Sequence, residues 1–367
     1  MNITFVLAVL NKLNLTKECY NRLRIVYPDA KLVISTDGSN DGTKEWLSSL
    51  NDENLIWRHG NEKSTFSYTY NKGIELVPTD KLVLIHNDMV IGHGFLESLE
   101  RLLTEDTLLS YTTIEPPIFA GHERPGKIIL DLGSSFDDFN YQSFNNYVNE
   151  NKDNDIISDG AVFFMSGYKK LFEDVGMFDG FSFFPCFCED DDFLIRTKLK
   201  GYKLKTTSSA ITYHFVSQTS RFSDDFKNER LKYEISSNKN FVRKWGIPIQ
   251  IFKEMKFWEN EKFEIKKFSL KLQTNDSDVA INLEPFFDYI QIETIPDDYI
   301  KNEQDSTHYD LKSKFTYTGE VNAIVYEISP LTNDDIPNLY KLRLIIPNYE
   351  PGTYQIGNMG IIIKKRL

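Results

Sequence analysis

The sequence predicts an open α/β sheet of mainly parallel strands over its first two thirds, followed by a smaller all-β module. Three observations point there. Short apolar runs rich in β-branched residues occupy 3–10, 31–35 and 81–85. Helical spacing of apolar residues fills the gaps between and after them, at 16–26, 42–50, 70–76 and 94–103. Beyond about residue 260 the texture changes to short alternating runs with Pro and Asn-Asp turns.

The strand-helix-strand rhythm requires crossover connections, which make the first sheet parallel at its core. Residues 119–159 are polar, aromatic and rich in Asn and Asp, the composition of long surface loops. A further strand is expected at 160–165 and a helix at about 224–245, with Phe226, Leu231, Ile235, Phe241, Val242 and Trp245 near one face and Gly246 and Pro248 ending it. The domain boundary is placed after that helix, giving residues 1–255 and 256–367. In the second segment, strands are expected within 263–272, 288–293, 323–328, 339–346 and 360–363.

Composition limits the classes of function. At 367 residues the chain fits two domains. With 54 Asp and Glu against 42 Lys and Arg, the net charge of −12 argues against nucleic acid or an anionic membrane as partner. Three cysteines, with Cys186 and Cys188 two apart, make neither a disulfide framework nor a four-ligand zinc site. Reduced thiols fit a cytoplasmic protein. Residues 3–10 are read as a buried strand and not a signal peptide, and no run approaches the roughly 18 apolar residues of a membrane helix. Strand edges in the second module would permit a homo-oligomer.

Three acidic clusters sit where ligands collect in such sheets, beyond the carboxyl ends of strands. Thr36-Asp37-Gly38-Ser39-Asn40-Asp41-Gly42-Thr43 follows the second strand and by itself makes a turn and helix cap. His86-Asn87-Asp88 ends the third strand. By itself Asp88 reads as a turn residue, but it also suits a hard divalent cation, which tolerates an imidazole if it is Mn²⁺. Glu189-Asp190-Asp191-Asp192 opens a helix running to about Lys200, next to Phe183, Phe184 and Phe187. The helix dipole accounts for one or two acids in a first turn. Four beside aromatic residues call for a cation or a proton-transfer task. Aromatic residues in 139–147 and 181–187 are read first as core, and second as platforms for sugar rings.

The order and spacing of six segments resemble the family 2 glycosyltransferases of GT-A fold. They are Ala8-Val9-Leu10-Asn11, the 36–43 turn, Tyr70-Asn71-Lys72-Gly73-Ile74, His86-Asn87-Asp88, Asp174-Val175-Gly176-Met177-Phe178-Asp179, and 189–196. The resemblance covers about residues 2–220. It implies that Ala8, Val9, Leu10, Thr36 and Asp37 hold the nucleotide, with Asn71 and Asn87 contributing from their motifs. It further implies that Asp88 is the last acid of the family's Asp-x-Asp metal motif, that His86 replaces the first, and that His214 is a further ligand. Asp190 then stands as catalytic base, with Asp192 second.

The expected cofactors are Mn²⁺ or Mg²⁺ and a nucleotide-diphospho-sugar, UDP-sugar favoured, with a glycan or other hydroxyl acceptor. A divalent ion neutralises charge on the departing diphosphate, and a carboxylate takes the acceptor's proton. Attack opposite the leaving group predicts an inverting enzyme. Two other readings remain at this stage. One is a catalytically silent GT-A domain that binds nucleotide or glycan beside a β-rich docking module. The other is a nucleotidyltransferase, against which Ala8-Val9-Leu10-Asn11-Lys12 lacks the glycines of a phosphate loop.

Overall fold

The computed structural model describes residues 2–120, 122–216 and 228–366. The chain divides into two compact units. The first comprises Met1–Gly180 and Phe184–Leu231, the second Phe181–Phe183 and Lys232–Leu367.

The first unit carries strands β1 (Ile3–Val9), β2 (Leu32–Asp37), β3 (Leu55–Gly60), β4 (Lys81–Ile85), β5 (Met89–Ile91), β6 (Thr107–Glu115), β7 (Lys127–Ile129), β8 (Ile157–Asp159), β9 (Met165–Tyr168) and β10 (Lys203–His214). Its helices are α1 (Leu13–Val26), α2 (Thr43–Ser49), α3 (Phe66–Glu75), α4 (Phe95–Leu102), α5 (Pro117–Ala120), α6 (Tyr141–Asn151), α7 (Lys169–Val175) and α8 (Glu189–Leu199). The sheet order is β3-β2-β1-β4-β9-β6-β10-β5, with β7 beside β6 and β8 beside β10.

Strand β1 is buried along its whole length, as a strand covered on both faces must be. It runs parallel to β2 and β4, and β2 runs parallel to β3. Strand β9 is antiparallel to both β4 and β6, so those two point the same way, and β10 runs parallel to β6. The carboxyl ends of β1, β2, β4, β6 and β10 therefore face one edge. The chain moves outward from β1 through β2 and β3 and returns on its other side at β4, a reversal of strand order that opens a crevice at that edge. Helix α3 packs closely on this region because residue 73 is glycine: a Cβ there would lie 3.0 Å from Val6 Cγ1 and 3.3 Å from Ser35 Cβ.

Two departures from the sequence reading concern this unit. The 119–159 stretch is not all surface loop. Asn140 caps α6 by accepting from Ser143 N, and Phe144 and Val148 on that helix join Phe139, Tyr213 and Phe215 in a buried aromatic cluster. Those rings are core and not exposed sugar platforms. The strand expected at 160–165 forms later, as β9.

In the second unit, helices α9 (Arg230–Trp245) and α10 (Ile249–Glu254) precede a sheet ordered β12-β11-β13-β15-β14. Its strands are β11 (Leu270–Gln273), β12 (Tyr289–Gln291), β13 (Ala323–Glu327), β14 (Gly352–Ile356) and β15 (Met359–Ile363). The smaller second sheet is present as expected, but the module is mixed α/β and not all-β. Helices α11 (Ser277–Leu283), α12 (Asp297–Gln304), α13 (Leu311–Thr316) and α14 (Ile336–Ile345) connect its strands, and β12, β11 and β13 are parallel. The strand expected at 339–346 is a helix because Leu339, Leu342 and Ile346 recur at helical spacing and all three enter the core.

Nearly all of α9 falls in the second unit, whereas the sequence reading assigns it to the first. Leu231 and Ile235 on it are exposed, and it buries Ser237, Asn240, Phe241, Val242 and Arg243 instead. Phe226, expected on its apolar face, lies outside the described residues. No helix among the described residues is long and apolar enough to cross a membrane.

Candidate active site

Three strand ends build a compact donor cluster at the carboxyl edge of the first sheet. His86 and Asp88 follow β4, and β5 begins at Met89, whose register partner on β10 is His214. The same register lets the Asp88 carbonyl accept from Phe215 N at 2.9 Å, which fixes the turn. One ligand atom from each of His86, Asp88 and His214 lies within 4.8 Å of the others. Asp88 Oδ1 is 3.4 Å from His214 Nε2 and 3.9 Å from His86 Nδ1.

The electrostatics separate the two histidines. His86 keeps 26% of its side chain exposed, yet its Nε2 is buried and has no hydrogen-bond partner among the described residues. Burial, helped by the charge of His214, lowers its pKa to about 4 against the pull of Asp88 and Glu115. His86 is thus a neutral imidazole. His214 is buried too, but Asp88 and Glu115 outweigh that burial and raise it to about 9. Its ring lies between the two carboxylates, with Nδ1 at 3.1 Å from Glu115 Oε1. Two imidazoles and a carboxylate, gathered with one ring nitrogen lacking a partner, fit a divalent cation that accepts nitrogen ligands. Phe66, Phe163 and Phe164 surround His86, and Phe164 also touches His214, so the cluster has apolar walls.

The acidic run at the start of α8 divides by environment. Asp192 is fully buried and its Oδ2 accepts from Arg196 Nε at 2.8 Å, while Arg196 Nη1 donates to Val175 O. It holds the helix in place. Asp190 is half-buried. Glu189 is buried, with Oε2 lacking a hydrogen-bond partner among the described residues. Burial first, then the charges of Asp190 and Asp191, push its pKa up to about 8. Phe187 and Cys188, just before it, both adopt left-handed backbone (φ 80 and 67). Such strain is retained where surrounding structure imposes it. The run is tethered toward the donor cluster. Phe66, whose ring is 5.7 Å from that of His86, donates its N–H to Pro185 O at 3.0 Å. Pro185 precedes Glu189 by four residues, about 14 Å at full extension.

On the other side of the crevice, Ala8 and Val9 end β1 in register with Ser35 and Thr36 of β2, and Leu10 follows. The two connections are stitched together: Asn11 N donates to Ser39 Oγ (2.8 Å) and Asn40 N to Asn11 Oδ1 (2.9 Å). Thr36 Oγ1 lies 2.6 Å from Ser39 Oγ. Asp37 accepts from both Arg58 terminal nitrogens (2.6 and 2.8 Å) and from Thr69 Oγ1 (2.8 Å). Gly60 makes room for that carboxylate, since a Cβ there would come within 1.9 Å of Asp37 Oδ1. Asn71 and Asn87 have other engagements. Asn71 accepts from Phe178 N and donates to Phe178 O, and Asn87 Nδ2 donates to Thr16 Oγ1. Both brace the walls of the crevice.

Residues 4–176 match the sequence pattern of Glycosyl transferase family 2. This segment is a family 2 glycosyltransferase domain. No curated protein matches the chain in sequence. Among solved structures, the chain resembles the mannosyltransferase PcManGT from Pyrobaculum calidifontis in complex with GDP-Man and Mn²⁺. Identity is 15% and TM-score 0.45, with 70% of this chain and 68% of that chain covered. It also resembles GalNAc-T7 with UDP, GalNAc and Mn²⁺, at 10% identity and TM-score 0.46, covering 70% of this chain and 50% of the other. A third is TarS 1–349 of S. aureus, at 13% identity and TM-score 0.42, covering 70% and 78%.

Three side chains beside the candidate residues are not marked by any pattern in the sequence: Arg58 on Asp37, Glu115 on His214, and Lys127, whose Nζ lies 2.9 Å from Glu115 Oε2. Glu115 is 99 positions from His214, and no local pattern marks it. The pairing of β6 with β10 creates the contact: Ile114 is opposite Tyr213, which sets the next residue on each strand side by side.

Proposed function

We propose that the chain is an inverting, divalent-metal-dependent glycosyltransferase that moves a sugar from a nucleotide-diphosphate donor, UDP-sugar favoured, to a hydroxyl of a glycan. The observation that carries this reading is the meeting of His86, Asp88 and His214 at the carboxyl edge of a family 2 domain. Two nitrogen donors in a set of three favour Mn²⁺ over Mg²⁺, which prefers oxygen ligands.

When bound, such an ion offsets the negative charge that builds on the departing diphosphate. Asp88, His86 and His214 would hold it. Ala8, Val9, Leu10, Thr36 and Asp37 line the nucleotide side. A carboxylate offers about four lone-pair sites, and Arg58 and Thr69 occupy three at Asp37, which leaves one acceptor for an imide N–H such as that of uracil. Asp190 removes the acceptor's proton as the hydroxyl attacks the anomeric carbon from the face opposite the diphosphate. Its half-exposed position suits that task. Asp192, buried and paired with Arg196, serves the helix instead. Neighbouring Glu189 holds its proton to higher pH than an ordinary carboxyl, so it adds little negative charge beside Asp190.

A thermal-shift panel of nucleotide sugars with and without Mn²⁺, followed by product analysis of the anomeric configuration, tests the reading. A shift that needs both the ion and one nucleotide is expected. A panel with no ion-dependent shift, or a product that retains configuration, overturns it.

A further inference from the structure

We infer that Glu115 is a positioning residue for the metal centre: it fixes the ring of His214 so that Nε2 faces the other two ligands, and Lys127 holds Glu115 in turn. This rests on the metal-site reading above and extends it to two residues outside the ligand set.

A neutral imidazole has one N–H and one lone pair, and only the lone pair can bind a cation. A carboxylate cannot donate. The Glu115 Oε1 contact to Nδ1, at 3.1 Å, keeps a proton on Nδ1, so that a cation taking the place of the other ring proton meets the lone pair of Nε2. Nε2 is the atom facing Asp88 Oδ1, at 3.4 Å. Side chains of both Glu115 and His214 are over 90% buried, so water is a poor substitute for either partner. Glu115 is not itself a spare ligand. Its Oε1 takes His214 and, more distantly, Thr113 Oγ1 at 3.4 Å, and its Oε2 takes Lys127 Nζ at 2.9 Å. Lys127 reaches it from β7, where Lys127 is the register partner of Thr113 on β6. The three strands β7, β6 and β10 thus deliver Lys127, Glu115 and His214 as a row set by main-chain pairing, before any ion arrives.

Losing a carboxylate that orients a ligating histidine weakens metal affinity about 10- to 100-fold in comparable sites. The test measures Mn²⁺ affinity of the full chain by titration monitored with electron paramagnetic resonance, alongside Tm without metal. Glu115→Ala is expected to raise the Mn²⁺ Kd by about 10- to 100-fold. The Glu115→Gln/Lys127→Met pair, which keeps an acceptor oxygen for Nδ1–H and removes the unpaired ammonium, is expected to recover most of that loss. A merely structural role would lower Tm and leave the Kd of the folded protein unchanged, and that result overturns the inference. Should Glu115→Ala fail to fold, Lys127→Met decides: a Kd raised several-fold supports the row, and an unchanged one refutes it. Wild-type protein that binds no Mn²⁺ sinks the metal reading and this inference with it, whereas tight binding by wild type and Glu115→Ala alike sinks the inference alone.

Discussion

Replacing Glu284 with Gln should destabilise the second unit by about 3 kcal/mol, because one carboxylate there anchors two buried cations. Glu284 accepts from Arg243 Nε and Nη2, the latter at 2.7 Å, from Lys314 Nζ at 2.5 Å and from Tyr299 OH at 3.0 Å. The Arg243 and Glu284 side chains are both 0% exposed. Burial alone would push the Glu284 carboxyl up, but Lys314 and then Arg243 outweigh it and bring it from 4.5 down to about 2. At 1.36 kcal/mol per pH unit that drop is worth about 3 kcal/mol. Removing one partner of a buried ion pair costs about 3–5 kcal/mol, so two routes agree. Burial lowers the pKa of Lys314, against the pull of Glu284, so both members of that pair are held out of water by the contact they share. A carboxyl whose folded pKa is depressed stabilises fully above its unfolded value near 4.5 and loses that contribution as pH falls toward 2. Thermal melts followed by near-UV circular dichroism, at pH 7 and in steps from 4.5 to 2, should show the Glu284→Gln transition lower by roughly 10 °C at neutral pH and with a flatter acid dependence than wild type. A transition within 2 °C of wild type, or an equal acid slope, refutes the reasoning.

Four further outcomes are expected. Asp190→Asn should keep donor affinity and lose transfer, measured by nucleotide-sugar titration and product assay; normal turnover would place the base elsewhere. Asp88→Ala should abolish the Mn²⁺-dependent component of donor binding in the same titration. Gly60→Ala would drive a methyl into the Asp37 carboxylate, so we expect a loss of about 1–3 kcal/mol in stability from overpacking and weaker nucleotide binding, by urea melts and titration. Thr65→Ala removes the side chain that caps α3 by accepting from Tyr68 N, and should cost about 1 kcal/mol with donor affinity retained.

Much of the fold is legible because its signals are local. The apolar runs of β1, β2 and β4 and the helices between them follow from burial on both faces and from periodicity, and the strand order then places the crevice. The second unit is less legible for a definite reason. The run Leu339-Tyr340-Lys341-Leu342-Arg343-Leu344-Ile345-Ile346 satisfies an alternating pattern and a helical one at once, and Pro337 in the first turn of α14 favours the helix. The boundary shows the same limit. Helix α9 looks like the end of a catalytic domain until Arg243 is seen beside Glu284 and Glu303, charged partners 41 and 60 positions later. A fragment ending at 255 would leave that buried guanidinium without its carboxylates.

The site divides along the same line between local and distant information. The acids of α8 announce themselves by composition, because clustered charge beside apolar residues needs a reason, whereas Asp88 taken alone reads as a turn residue. His86 and His214 do not announce themselves either; a strand-end histidine is ordinary, and a family resemblance is required to pick them out. Glu115 and Lys127 are invisible even to that. Their contact to His214 arises from the pairing of β6 with β10 and β7, and a shift of that register by one residue would turn Glu115 to the opposite face of the sheet. The proposed metal centre is therefore only as well positioned as the strand pairing behind it. Substitutions in β6 that loosen this register, far from any ligand, should impair Mn²⁺ affinity before they lower the melting temperature of the unit.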